Sequence, residues 1–185
     1  MQWVVRSLVK RGIQPHYFVR EQATTGRVDT HGPSATLFHA ACHSLLDFAD
    51  FLRSGMELAD RRLTALDVLT KIELKSAVLA YLGSCNSGQA VPRRTDELMA
   101  LVRVFLYAGS PTVIATLWAL NDGAGSTFAD HFYKFWLGEK QPMAMAFQKA
   151  MLETRELHPQ PFDWAPFVLM GAWQGESEVT TDEHA

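Results

Sequence analysis

His43 and Cys85 stand 42 positions apart, each just past a short apolar run: Ala35-Thr36-Leu37-Phe38-His39-Ala40-Ala41-Cys42 and Ala77-Val78-Leu79-Ala80-Tyr81-Leu82-Gly83-Ser84. If the runs are neighbouring parallel strands, both side chains emerge together at the carboxyl ends, where open α/β sheets bind ligands. A thiol attacks only as thiolate, so it needs an imidazole beside it to take or share the proton. The pair therefore predicts covalent catalysis by cysteine. Each residue also has a plainer reading, as a small buried hydrophobe for the cysteine and a hydrogen-bonded structural group for the histidine. Ser84, Asn86, Ser87 and Gly88 argue against that for Cys85, because they make a polar turn at a strand end.

His39 lies four residues before His43 in the same run, on the same side by strand alternation, and reads as a hydrogen-bonded core histidine. Cys42 should face the opposite side and pack. A zinc site drawn from His39, Cys42, His43 and Cys85 would need tetrahedral convergence without any Cys-x-x-Cys spacing, and a Cys42–Cys85 disulfide is the remaining alternative.

The elements that position these residues follow from periodicity. Trp3 to Lys10 fits a short amphipathic helix that Gly12 caps, His16 to Val19 a strand, and Ala23 to Thr30 a weak helix or turn ended by Gly32-Pro33. Residues 35–42 read as a buried strand. Leu45 to Leu58 reads as loop with some helix, and Leu63 to Leu69 as a helical turn or two, together the long connection that a parallel pair requires. The run 77–84 is almost wholly apolar, as in a central strand covered on both faces. Asp96 to Ala108 is the clearest helix, with Thr95 as cap and Gly109 and Pro111 as the stop. A strand over 112–118 follows, then helices from about Gly123 to Leu137, capped by Asn121 or Asp122, and from Pro142 to about Arg155. Phe167 to Met170 is a last strand. This alternation predicts an α/β fold with a mainly parallel sheet.

Composition narrows the function. The chain has 185 residues, 48% hydrophobic and 20% charged, with a net charge of −3, which suits one globular domain with a real core. Glu176, Glu178, Asp182 and Glu183 carry the negative excess in a tail without Lys or Arg, read as solvated and disordered. No basic field points to nucleic acid. The apolar runs fall far short of a membrane span and the start lacks a leader pattern, so the expected location is the cytoplasm. Two cysteines, both at strand-like runs, read as reduced thiols.

Five blocks in order resemble the CHAT family, caspase-like cysteine peptidases related to separase and often fused to TPR repeats. They are His39-Ala40-Ala41-Cys42-His43-Ser44 and Leu82-Gly83-Ser84-Cys85-Asn86-Ser87-Gly88, then Asp96-Glu97 with Phe105-Leu106-Tyr107-Ala108-Gly109, then Leu117-Trp118-Ala119-Leu120-Asn121-Asp122, and finally His158-Pro159 with Trp164 to Gly171. The resemblance runs from about Gln22 to Trp173. It implies a three-layer caspase-like fold, a His43 general base, a Cys85 nucleophile, and an oxyanion hole made by the backbone N–H groups of Ser44 and Cys85. It implies no metal or organic cofactor, a protein or peptide substrate, and a TPR-type regulatory region or partner.

Two departures from the family pattern bear on this. Ser44 stands where the family has glycine; a serine keeps the N–H but tolerates positive φ poorly, which bears on the geometry of the hole. A full caspase-like domain also has a first strand ahead of the Trp3 to Lys10 helix. Residues 1–173 are thus expected to be a CHAT domain lacking that strand, with the histidine strand left at an edge, and 174–185 a polar acidic tail.

The remaining candidates have competing roles. Asp122 is most simply a helix N-cap, and an acidic residue in this block of separase-like relatives resembles a determinant for a basic P1 side chain. Trp118 reads as a packing anchor near enough to wall a pocket, Trp164 as packing, and Asp96 and Glu97 as helix-start charges. Arg93 and Arg94 read as solvated, and Met143, Met145, Met151 and Phe147 as core-facing. The leading expectation is a cysteine endopeptidase; the alternatives are an inactive interaction module with the same fold, and a thiol hydrolase of small molecules.

Overall fold

A computed structural model describes residues 2–10, 12–47, 49–83, 95–119 and 121–173, with 2–4, 7 and 95–100 as backbone. In chain order these form α1 (Gln2–Val9), α2 (Thr25–His31), β1 (Leu37–Ala40), β2 (Ser44–Leu45), β3 (Gly55–Glu57), β4 (Arg62–Thr64) and α3 (Ala65–Lys71). The second half holds β5 (Leu79–Leu82), α4 (Thr95–Tyr107), β6 (Thr112–Thr116), α5 (Asp122–Tyr133), α6 (Met143–Leu157), α7 (Pro161–Trp164) and β7 (Phe167–Gly171).

The main sheet has the order β1-β5-β6-β7, with the first two pairings parallel and β6–β7 antiparallel. All residues of β5 and β6 are buried, whereas β1 at the sheet's edge is half-buried throughout. Strand alternation sorts the core into two halves. Leu79, Tyr81, Ile114 and Phe167 face one side and pack with Phe128, Phe132, Trp136, Ala146 and Ala150 of the α5–α6 layer. Ala80, Leu82, Val113 and Ala115 face the other and pack with Val68, Val102 and Phe105 of α3 and α4, and with Met56 and Leu63. Helices thus cover both faces of a mainly parallel sheet, as the sequence predicts.

Helix ends obey local chemistry. Gly12, at φ +79°, closes α1 with Gly12 N–H to Val9 O and Ile13 N–H to Leu8 O, the paired bonds of a Schellman cap. Thr64 and Asp67 make a reciprocal capping box at α3, and Asp67 also accepts from Arg61 and Lys71, which holds its carboxyl well below the usual range despite burial. Among the described residues no helix is long and apolar enough to cross a membrane.

Several expectations are corrected. His16 to Val19 forms no strand: no neighbouring strand offers it a ladder, and its His16 and Phe18 rings pack on His31 of α2 instead. Within 45–58 the loop and short 3-10 helix (Phe51–Arg53) are present as expected, but Leu45 and Gly55–Glu57 also join a second, antiparallel sheet, β2-β3-β4, that the sequence does not reveal. Leu63 belongs to β4, so the helix begins at Ala65. The α5 segment continues into a π-helical turn over Lys134–Gly138, burying both Phe135 and Trp136. Met145 is exposed on α6 while Met143 is buried, because the two lie two positions apart on a helix.

Candidate active site

The register of β1 on β5 pairs Leu37 with Leu79 and Ala40 with Leu82, so both chains leave the sheet at the same end. The N–H of Gly83 donates to Ala40 O at 2.8 Å, one more rung after the strands end. His43 follows three residues after Ala40. Cys85 follows two after Gly83 and lies outside the described residues, as do the neighbouring Ser84, Asn86, Ser87, Gly88, Arg93 and Arg94.

His43 is exposed, and its carbonyl accepts the N–H of Glu57 at 2.8 Å. That bond, with the Ser44–Met56 register, makes Ser44 a non-hydrogen-bonded partner in the β2–β3 ladder. Its N–H therefore points away from β3 and is not spent on the hairpin. Ser44 also lies in extended backbone; among the described residues the non-glycine positions with positive φ are Arg20 and Lys140. A serine fits here without backbone strain.

The β2-β3-β4 hairpin sheet supports this segment, and Gly55 lets it close. A Cβ at Gly55 would lie 2.1 Å from Leu63 O, so a side chain there would force β3 and β4 apart. The Ser54 hydroxyl accepts the N–H of Asp47 at 2.8 Å, pinning the β2–β3 connection.

A small cleft with about 20 Å³ of free space lies at the carboxyl ends of β5 and β6. Ser44, Met56, Leu82, Phe105, Ala115 and Thr116 are among its lining. The Ser44 hydroxyl is buried and has no hydrogen-bond partner among the described residues. Neither Trp118 nor Asp122 lines this cleft. Trp118 instead donates its Nε1–H to Phe162 O at 2.8 Å. Asn121 is the N-cap of α5, accepting from Ala124 N–H, and Asp122 is the first helical residue rather than the cap.

His39 does not share the side chain chemistry of His43. Its ring stacks on Tyr81 with centroids 4.4 Å apart, and Nδ1 is 2.7 Å from the Tyr133 hydroxyl. Burial pulls its pKa down to about 3 and pushes that of Tyr133 well up, so a neutral imidazole and a neutral phenol share one hydrogen bond. Cys42 packs on the opposite half of the core as a free thiol, pushed up to about 11 first by burial and then by Glu57. It is a poor nucleophile and a poor metal ligand in that state.

Three contributors are not apparent from residue types alone. Gly55 and Met56 sit in a strand of three residues, too short to show alternation, and Tyr133 is read from the sequence only as part of an apolar helix. A double-aromatic setting around a histidine four residues from the candidate base is the one signal that could mark the His39 cluster.

A family model described as CHAT domain matches residues 2–172. Tetratricopeptide repeat protein 28 of Homo sapiens is 32% identical over 117 residues, 62% of this chain and 5% of that protein. The Mus musculus protein of the same name is 32% identical over 118 residues, with the same coverage of 62% and 5%. The chain thus spans about one twentieth of the length of these relatives. Among solved structures, the Arg-specific cysteine proteinase gingipain R superposes with a TM-score of 0.62 at 11% identity, over 94% of this chain and 41% of that one. The fold is that of caspase-like cysteine proteinases.

Proposed function

The chain belongs to the CHAT domain family, and on that premise we propose that it is a cysteine endopeptidase whose His43 and Cys85 cleave peptide bonds in protein substrates. The observation that carries this reading is the parallel β1–β5 register with its extra Gly83–Ala40 rung, which brings the strand ends that precede His43 and Cys85 in sequence together at one end of the sheet. His43 withdraws the thiol proton as Cys85 attacks the scissile carbonyl. The backbone N–H of Ser44, free of the hairpin ladder, and that of Cys85 bind the developing oxyanion. The tetrahedral intermediate expels the amine with a proton from His43, leaving a thioester that water hydrolyses. This sequence needs no metal or organic cofactor. Trp118, on the loop after β6, and Asp122, at the first position of α5, can touch substrate beyond the scissile bond. Residues 1–173 are the catalytic unit, and the polar, acidic stretch 174–185 is not part of it. A TPR-type region regulates it, in keeping with the names of the relatives, and the place proposed for it is the cytoplasm.

A peptide carrying a thiol-directed acyloxymethyl ketone tests this. The adduct is expected on Cys85 by mass spectrometry and lost in Cys85→Ala; labelling elsewhere, or undiminished labelling of that variant, overturns it. The second reading is an interaction module with the same fold, favoured by the small share of much longer tetratricopeptide repeat proteins that the chain matches. Peptide-library cleavage by wild type and Ser44→Gly separates the two, because silence from both well-folded proteins favours the module.

A further inference from the structure

We propose that Glu57 is a positioning residue for the proposed base: its carboxylate, held by Arg62, stands across the hairpin from His43 and steadies the imidazolium that forms when His43 takes the thiol proton. This rests on the peptidase reading and adds a third group to its pair. Register alone brings the residues together. Ser44 pairs with Met56 on the antiparallel β2–β3 ladder, so the next position outward sets His43 opposite Glu57. The N–H of Glu57 donates to His43 O at 2.8 Å, which carries the ladder one pair past β2. Alternation agrees, because Ser44 and Met56 are buried on the inner face whereas His43, Leu45 and Glu57 are exposed on the outer one. Directly opposed side chains on such a pair have Cβ atoms about 5 Å apart.

The carboxylate is anchored. Glu57 is also in register with Arg62 of β4, and Arg62 Nε donates to Glu57 Oε1. Arg62 is tied in turn to the hairpin, its Nη1 donating to Arg53 O at 3.3 Å. His43, Glu57 and Arg62 thus form one row across the outer face. Among the described residues no donor engages Oε2 of Glu57, so one oxygen is left over from the ion pair. The field of this carboxylate reaches the segment of the base: it is the second cause, after burial, that pushes up the thiol of Cys42, the residue before His43.

In the proposed reaction the proton passes from Cys85 Sγ to His43 and then to the leaving amine, and Glu57 neither gains nor loses one. Its part is electrostatic, since a negative charge opposite the ring favours imidazolium over neutral imidazole. Two other sets of charges face this row among the described residues. Arg62 opposes the effect from one strand further away, and Asp47 and Arg53, on the β2–β3 connection, are 3.7 Å apart and balance each other. Glu57 is the nearer charge, so its sign prevails. With these side chains partly in water, charges roughly 6–7 Å apart change a proton affinity by about threefold, or about half a pH unit.

Titration of the imidazole tests this without turnover. The full chain with isotope-labelled histidine is titrated by NMR, and the His43 signal is assigned by its loss in His43→Gln. Glu57→Gln, isosteric and at an exposed position, is expected to lower the His43 midpoint by about half a unit, and Arg62→Gln, which leaves the carboxylate unopposed, to raise it. Either variant decides alone if the other fails to keep the wild-type melting temperature. In peptide hydrolysis Glu57→Gln should cut kcat about threefold with KM unchanged and move the acid limb of kcat/KM to lower pH, and Glu57→Asp should restore most of the loss. A merely structural role would lower stability and leave the midpoint in place. An unmoved midpoint, or shifts of the same sign in the two variants, overturns the proposal. Opposed shifts in a protein whose Cys85 the ketone probe does not label would reject the peptidase reading and leave the coupling of Glu57 to His43 standing.

Discussion

Gly83 donates its N–H to Ala40 O at 2.8 Å, tying together the two segments that lead to Cys85 and His43. A Cβ at Gly83 would lie 2.9 Å from Cε1 of Tyr81, whose ring is stacked on His39 and cannot swing aside freely. Gly83→Ala is therefore expected to cost about 1–3 kcal/mol by overpacking, read by urea denaturation. Peptide hydrolysis should fall further than stability does, because the strain lies at the rung that aligns the two segments. Wild-type stability and rate in Gly83→Ala would refute the role given to that rung.

The hairpin sheet makes a sharper case. Gly55→Ala places a Cβ against the Leu63 carbonyl, a backbone atom that cannot yield without breaking the β3–β4 pairing. The expected loss is at least about 2 kcal/mol, and hydrogen exchange should accelerate at Leu45 and Glu57, the hairpin amides flanking Ser44. Ala at Gly26, whose surroundings are open, is the matched control and should stabilise or leave α2 unchanged.

The difference between these elements and the rest explains what the sequence reveals. β5 and β6 are legible because both faces are covered, so nearly every residue is apolar. α5 and α6 are legible from Asn121, Pro142 and the spacing of Phe128 and Phe132. The His43 and Cys85 segments stand out because polar residues follow apolar runs. β2, β3 and β4 stay hidden because strands of two or three residues show no period, and their pairing depends on Gly55 packing against a carbonyl. His16 to Val19 has strand-forming residues without a neighbouring strand, so propensity there finds no ladder to stabilise it. The availability of the Ser44 N–H is a property of register, which residue types alone do not carry.

The two cysteines should separate cleanly by reactivity. With Cys42 held at about 11 by burial and Glu57, only roughly one molecule in a few thousand carries its thiolate at pH 7.5. Iodoacetamide at that pH should modify Cys42 at least a hundredfold more slowly than it does in the urea-unfolded chain, by peptide mapping. Equal rates in the folded and unfolded chains would contradict the packed, protonated thiol.

His39 should make the fold sensitive to acid. Burial lowers its pKa from 6.5 to about 3, so between those values the unfolded chain binds a proton that the folded chain refuses. By linkage this contribution to stability is complete above about pH 6.5 and is lost as pH falls toward 3. Carboxylates also weaken in that range, among them Asp67, held low by Arg61 and Lys71, so the informative quantity is a difference between proteins. Replacing both partners, His39→Phe with Tyr133→Phe, removes the titrating group and leaves no orphaned hydroxyl, a change expected to be nearly neutral at pH 7.5. Between pH 7.5 and 4.5 the wild type should then lose roughly 2 kcal/mol more than the double variant, a value reduced for the partial exposure of the residue. Urea titrations at both pH values measure it. Parallel losses in the two proteins would show that the imidazole is protonated in the folded state and that its hydrogen bond to Tyr133 does not depend on neutrality.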